Sequence, residues 1–545
     1  CVAQSDGRRG GGLQRLDRPR HDVATGRRLP CRVCRGSLRD DPRAAQAGLQ
    51  GLKALLVEAK DFASGTSSRS TKLIHGGIRY LQNGEWALVR EGARERQRVL
   101  KLAPHLAEPI DLLLLAPNWY TFLKYWIGVR LYEFLGQVRR DDRHRLVWGK
   151  ALEAVEPSLD RNRYPYGILY REYLTDDARL VLANVRAGCA LGGVALNYSP
   201  VEGLLEDAGR VAGVRIRHRG SENSIAVKAA CVVNAAGPWV PDVLAMDEPA
   251  LKSLVLSKGV HVVLARSDLM INQCCLLVAD DGRPVFAIPA DEIVYVGTTD
   301  TIYEGSDLTW PPVLDHEVQY LLGVVNAHFK LDLRSPQVLS SWAGLRPLIA
   351  QSGKKTTEIS RKDEVWVSRK GLVTIAGGKL TGYLKMAEMV VQQVVQQHPV
   401  FHERTPSALD WFPGASQPRP PEGLLTSLLD SENVDAQILA RLVRRYGDEA
   451  QAVLARGREL IAPGAKMILG QVHWAVAQEY AQTLEDVVYR RLRTPLYEPS
   501  LSGRGLERIS ELMAEMLGWD ESERLHQLDQ TRRLLAADQR FSDNT

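Results

Sequence analysis

Residues Ser64 to Leu81, SGTSSRSTKLIHGGIRYL, gather hydroxyls, a lysine, a histidine, three glycines and two arginines into eighteen positions. They follow an apolar run, Ala54-Leu55-Leu56-Val57, that ends in Glu58, and they precede a helix-like segment from Trp86 to Leu102. A strand, a polar glycine-bearing loop and a helix, in that order, are where an α/β fold places ligand chemistry. A solvated loop would not carry Ile74, Ile78 and Leu81 with Arg69, Lys72 and Arg79 interleaved among them. Glu58 adds a second chemical handle, because a carboxylate at a strand end offers two acceptor oxygens to a ribose diol. A third is the junction at which Leu372-Val373-Thr374-Ile375-Ala376 runs into Gly377-Gly378-Lys379 and a helical segment from Thr381 to about Gln396. The free N–H groups of such a helix start suit a negative or polarised oxygen.

The elements that must position these residues follow from composition and pattern. At 545 residues the chain exceeds one hydrophobic core, so two or three domains are expected. Residues 1–50 hold eleven Arg and five Asp with no Lys or Glu, a net of +6, which leaves the other 495 residues at −1. A near-neutral body gives a nucleic-acid role no support. Seven cysteines are too few for a disulfide scaffold, and Cys31-x-x-Cys34 lacks a second ligand pair for zinc, so no metal is expected. No run of eighteen uncharged apolar residues marks a membrane span and no apolar segment marks a secretion signal, so a reducing cytoplasmic setting is expected.

Residues 1–50 show neither apolar period, and Gly10-Gly11-Gly12 lacks a preceding strand. The segment reads as a disordered tail or as a message translated in the wrong frame; its five Asp and two Ser count against a mitochondrial presequence. Buried strands are expected at 51–58, 230–236 and 372–376, with shorter strands between 255 and 350. Asp111 to Gly136 is the most aromatic stretch; Pro117 divides it and Lys124, Arg130 and Glu133 interrupt it. It reads either as an element lying on a bilayer surface or as a buried core helix. Five prolines between His402 and Glu422 suggest a linker, and residues 423–545 are expected to form a helical domain.

Seven blocks in this order resemble FAD-dependent glycerol-3-phosphate dehydrogenase: TSSRSTKLIHGGIRYL, TDDARLVLAN, VVNAAGPWV, KGVHVVL, VGTTDTIYEG, WAGLRPL and TIAGGKLTGY. The likeness covers about residues 51–545. It implies an α/β, Rossmann-like FAD-binding fold of the glutathione-reductase/DAO type, an antiparallel-sheet substrate domain and an all-α C-terminal domain. The FAD-binding parts would be about 51–110, 175–250 and 345–400, and the substrate-domain parts about 111–174 and 251–344. The implied reaction oxidises sn-glycerol 3-phosphate to dihydroxyacetone phosphate, with hydride passing from C2 to flavin N5 and electrons then reaching ubiquinone or menaquinone. The enzyme would sit peripherally on the inner face of the cell membrane, and a homodimer is compatible with the family.

By the same resemblance Glu58 would hold the adenosine ribose, and Ser67, Ser68, Ser70, Lys72 and Leu73 would contact pyrophosphate and flavin. Ala235 and Gly237 would line the adenine side, and Gly378 with Thr381 would face the flavin pyrimidine. Arg79, Tyr80, His261, Arg346 and Lys379 match the substrate pocket, where Arg forks select a phosphorylated polyol. His261 is expected to be the base, Arg346 to hold phosphate or the developing alkoxide, and Lys379 to support charge on the flavin. Two departures stand out. Gly382 and Leu384 replace a hydroxyl and a cation usual near the flavin helix, and residues 1–50 lack the family's first strand and Gly-x-Gly-x-x-Gly turn. Weak FAD binding or poor solubility is the expectation, with a glycerol-3-phosphate oxidase or a flavin-free remnant as alternative readings.

Overall fold

The computed structural model describes residues 2–4, 53–76, 86–138, 140–247, 253–350, 364–398, 411–415, 421–499, 501 and 503–541. One sheet has six strands in the order Glu364–Val367, Val373–Ala376, Val232–Asn234, Val2–Gln4, Ala54–Val57 and Val194–Leu196. Val232–Asn234 pairs in parallel with Val373–Ala376, and Ala54–Val57 with Val194–Leu196. Their carboxyl ends therefore share one edge, where Glu58, Ala235 and Gly377 follow the strands. That edge is where open α/β sheets bind ligands.

The sheet corrects the expectation that residues 1–50 supply no strand. Val2–Gln4 fills the slot between Ala54–Val57 and Val232–Asn234, antiparallel to both. Three residues are too short for a periodic signal, yet an open slot between two strands offers unpaired N–H and C=O groups that any extended segment can satisfy. The direction is reversed relative to a dinucleotide-binding strand: Gln4 pairs with Ala54 and Val2 with Leu56, so the chain leaves from the edge opposite the ligand side.

A larger sheet has ten strands among the described residues, eight of them on one path that contains Leu254–Ala265, Cys274–Val278, Pro284–Ala290, Ile293–Gly297, Glu108–Ala116 and Tyr166–Leu174, with Val338–Ile349 paired to Leu254–Ala265 off that path. Among the described residues its pairings are antiparallel except that of Cys274–Val278 with Glu108–Ala116. Leu73–Ile74, expected in an FAD-binding part, also pairs into this sheet, as does Val338–Ile349 across the expected boundary at 345. Alternation divides Leu254–Ala265 between two faces. Val260, Val262 and Leu264 pack with Val318, Leu321 and Val325 of the helix Asp315–Phe329, which leaves Ser257, Gly259 and His261 on the other face.

The aromatic stretch at 111–136 is two elements, not one. Leu112–Ala116 lie buried within the strand Glu108–Ala116, and a helix, Trp119–Gly136, begins after Pro117 with Asn118 as its cap. The uniform apolarity across Pro117 hid the change of period. On the helix Val129 and Tyr132 are buried, whereas Trp119, Tyr120, Ile127 and Phe134 are 55–79% exposed.

The C-terminal helices, from Pro421–Ser431 to Glu521–Ala537, are tied to the rest of the chain by buried charge. Asp61, on the FAD side, accepts Arg490 Nε at 2.5 Å, Arg491 Nη1 at 2.6 Å and Arg491 Nη2 at 2.9 Å. Arg179 forks onto Glu479 with a shortest contact of 2.6 Å. Most of the expected linker at 401–422 lies outside the described residues, as do Cys31 and Cys34.

Candidate active site

The loop after Glu58 is held from two directions. Asp177, at the start of the helix Asp177–Ala190, accepts from the Ser70 N–H (3.0 Å), the Ser70 hydroxyl (2.7 Å) and the Lys72 ammonium (3.5 Å). From the C-terminal helices, Arg493 donates to Asp177 Oδ1 at 3.0 Å and to Ser68 O at 2.8 Å. Lys72 also donates to the carbonyls of Ser68 and Ser70 and lies 4.5 Å over the Trp342 ring. Burial, partly offset by Asp177, lowers its pKa to about 8. Its contacts brace the loop. Ser67 is exposed, Ser68 is buried and Leu73 enters the larger sheet.

On the face of that sheet opposite the Val260 core, His261 is 1% exposed. Its ring stacks on Trp342 with centroids 4.7 Å apart and planes 9° apart, and Nε2 is 3.0 Å from Thr71 Oγ1. Nδ1 is buried and has no hydrogen-bond partner among the described residues. The ring lies so close to Gly297 that a Cβ there would come within 2.1 Å of it. Arg346 crosses Gly259 in the same way, at 2.4 Å from a Cβ. It donates to Thr298 Oγ1 (3.0 Å), Ser257 Oγ (3.3 Å) and Thr299 O (3.4 Å), with Asp300 3.6 Å away. Burial first, and then the cations of Lys72 and Arg346, hold the imidazole pKa well below its usual value, so it is neutral.

That placement has a kinetic consequence. In the free enzyme His261 does not ionise near its ordinary 6.5, so the pH profile of kcat/KM shows no inflection from it there. An inflection at that pH that disappears in His261→Asn would contradict the geometry.

Lys379 stands at the turn before the helix Tyr383–Gln397, and Thr381 Oγ1 donates to His75 O at 3.0 Å, fastening this helix start to the loop. Gly382 caps the helix with no side-chain acceptor, which leaves first-turn N–H groups for a ligand. Arg79 and Tyr80 lie outside the described residues. His261, Arg346 and the loop lysine thus come together; Thr71, Trp342 and the Ser257–Thr298–Asp300 cradle were missed as site residues. Thr71 sits inside the TSSRSTKLIHGGIRYL block and the others inside or beside the KGVHVVL, VGTTDTIYEG and WAGLRPL blocks, which were the available signal.

The donor set fits FAD at three places. Glu58 Oε1 accepts the Lys60 N–H at 3.0 Å, and burial pushes its pKa up. Ala235 is exposed at its strand end, and Gly377 and Gly378 turn with φ of +82° and +93° before the uncapped helix. A glycine-rich pyrophosphate turn is not among the described residues.

A family model described as FAD dependent oxidoreductase matches residues 43–384, and one described as the C-terminal domain of alpha-glycerophosphate oxidase matches residues 376–524. The aerobic glycerol-3-phosphate dehydrogenase of Bacillus subtilis (strain 168) is 35% identical over 90% of this chain and 92% of its own. The chain belongs to the FAD-dependent glycerol-3-phosphate dehydrogenase family. The Staphylococcus aureus (strain USA300) dehydrogenase is 41% identical over 357 residues, 64% of each chain. A glycerol-3-phosphate dehydrogenase from Bacillus halodurans, solved with FAD, superposes with a TM-score of 0.74 at 33% identity, covering 90% of this chain and 91% of that one. As a member of this dehydrogenase family the chain is an FAD-dependent oxidoreductase with a helical C-terminal domain.

Proposed function

We propose that the protein oxidises sn-glycerol 3-phosphate to dihydroxyacetone phosphate and delivers the electrons to a membrane quinone. The observation that carries this reading is a buried neutral imidazole, His261, on the same sheet face as the guanidinium of Arg346. FAD, when bound, supplies the acceptor for a hydride from C2 at its N5. Glu58, the Ser67–Lys72 loop, Ala235, Gly237, Gly378 and the Thr381 turn would hold it.

Arg346 is fixed by Thr298, Ser257 and the carbonyl of Thr299, and it holds the substrate's phosphate or the oxygen at C2 through its planar fork. With Nε2–H donated to Thr71 Oγ1, Nδ1 of His261 keeps a free lone pair and takes the C2 hydroxyl proton. The low pKa of the free enzyme suits this role only when substrate is present, because a phosphate dianion offsets Lys72 and Arg346 and raises imidazole basicity. Lys379 balances charge at the helix start.

The purified chain, loaded with FAD, is expected to lose its visible flavin absorption when sn-glycerol 3-phosphate is added. His261→Asn is expected to slow this bleaching about 100-fold or more, the usual range for a lost general base, with little change in substrate affinity. Weakened affinity at unchanged rate would make His261 a binding residue. Reoxidation by a soluble quinone under anaerobic conditions supports the quinone reading, and rapid reoxidation only by oxygen favours an oxidase.

The helix Trp119–Gly136 supports a membrane site for the acceptor. Tyr120, Leu123, Ile127 and Phe134 form an exposed apolar stripe at helical spacing with Lys124 and Arg130 beside it, a composition suited to the interface of an anionic bilayer. Among the described residues no helix is long and apolar enough to cross a membrane. Flotation with anionic vesicles should recover the protein, and the double change Ile127→Glu, Phe134→Glu should reduce recovery about tenfold while leaving bleaching by substrate intact.

A further inference from the structure

Behind the loop that carries Ser68, a cavity of about 130 Å³ lies between the strand Val338–Ile349, the segment Trp310–Val313 and the end of the helix Glu521–Ala537. Its walls are largely apolar, with Trp310, Pro311, Trp342, Leu496 and Leu534 among them. Several cations also line it, and most are neutralised by the protein. Lys72 has Asp177, Arg490 has Asp61 and Asp486, and Arg493 has Asp176 and Asp177.

Arg69 differs from these. Its residue is only 8% exposed, its guanidinium lies 3.8 Å over the Trp310 ring, and no hydrogen bond or ion pair engages that guanidinium among the described residues. Burial, against the pull of Asp538, pushes its pKa down to about 10. A buried cation left without an acceptor is costly, and proteins ordinarily pair it. Asp538, the carboxylate whose charge acts on Arg69 most, instead accepts the Tyr489 hydroxyl at 2.7 Å, and its carboxyl is pushed up by burial to about 7. The guanidinium lies over Trp310 in the cavity wall, and a guanidinium offers a planar N–H fork that binds a carboxylate with two parallel hydrogen bonds.

We propose that this cavity is a binding site for a small apolar monocarboxylate, with the carboxylate on the Arg69 fork and the apolar body against Trp310, Trp342 and Leu534. The chemistry reads one negative charge on a compact apolar group. A bare phosphate would leave the apolar walls unfilled, and a neutral isostere would leave Arg69 unpaired. A ligand here would join the loop to the C-terminal helix and lie behind Trp342, whose ring stacks on His261.

Calorimetric titration of the full chain with benzoate tests this without reference to catalysis or FAD content. Benzoate is expected to bind, with benzamide and inorganic phosphate each at least tenfold weaker. Arg69→Gln should weaken benzoate at least tenfold. Asp538→Asn keeps an acceptor for Tyr489 and removes the competing charge, and it should tighten benzoate severalfold. Should Arg69→Gln fail to fold, Leu534→Trp fills the cavity from its apolar side and should abolish binding while Arg69 stays. Equal binding of benzoate and benzamide, or benzoate binding unaltered in Arg69→Gln or in Leu534→Trp, would overturn the proposal.

Discussion

Replacing residues 1–50 with a strand, a Gly-x-Gly-x-x-Gly turn and a helix start raises FAD affinity by about a thousandfold or more. The turn would bring backbone N–H groups and a helix N-terminus against the pyrophosphate. Each hydrogen bond to a charged group contributes about 1.5–3 kcal/mol, so two or three at about 2 kcal/mol each account for about 4–6 kcal/mol, and 1.4 kcal/mol is tenfold in affinity. In the native chain Val2–Gln4 occupies the strand slot in the reverse direction, so the segment that follows it starts from the edge away from Glu58 and Ala235. Quenching of flavin fluorescence on titration of the apoprotein measures the difference. Equal affinity for both chains would mean that the pyrophosphate is held by other residues, the Ser67–Lys72 loop first among them.

Asp61→Asn destabilises the protein by about 3–5 kcal/mol, the cost of breaking a buried ion pair from one side. Asp61 is fully buried, and the change strips Arg490 and Arg491 of a shared counter-charge at 2.5–2.9 Å. Burial would raise its pKa, but the guanidiniums of Arg491 and Arg490 outweigh it and hold the carboxyl below its ordinary 3.8. Its contribution is therefore fully present above that value and is lost as pH falls through the depressed pKa of the folded state. Glu523→Gln, which breaks the exposed pair with Arg219, should cost less than about 1 kcal/mol. Denaturant midpoints of the two variants measure the contrast, and similar shifts would remove Asp61 as a structural anchor.

What could be read from the chain alone follows from how local the information is. Ala54–Val57, Val232–Asn234 and Val373–Ala376 announce themselves as short apolar runs that end in an acid or a glycine turn, so the parallel sheet and its ligand edge were legible. Pro117 marked a division, but that a strand precedes it was not legible, because strand and helix there are both apolar and neither alternation nor helical period changes the composition. His261 and Arg346 were legible as members of matching blocks, but their surroundings were not. Nothing near Arg346 in the sequence names Ser257 or Asp300 as its cradle, and the bond from Arg493 to Ser68 spans 425 residues. Tertiary partners at that range leave no periodic trace.

The same separation bears on how the protein is made. Asp61 waits for Arg490, 429 residues downstream, and Asp177 waits 316 residues for Arg493. At ribosomal speeds of about 5–20 residues per second, the first interval lasts roughly 20–90 s. During that time the nascent amino-terminal portion holds carboxylates whose burial would be unfavourable without their partners, so its closed form is disfavoured until the last helices emerge. Completion of the carboxyl-terminal region thus acts as a timing step for assembly, and a nascent chain stalled before Arg490 would be a poor folder and a natural client for chaperones.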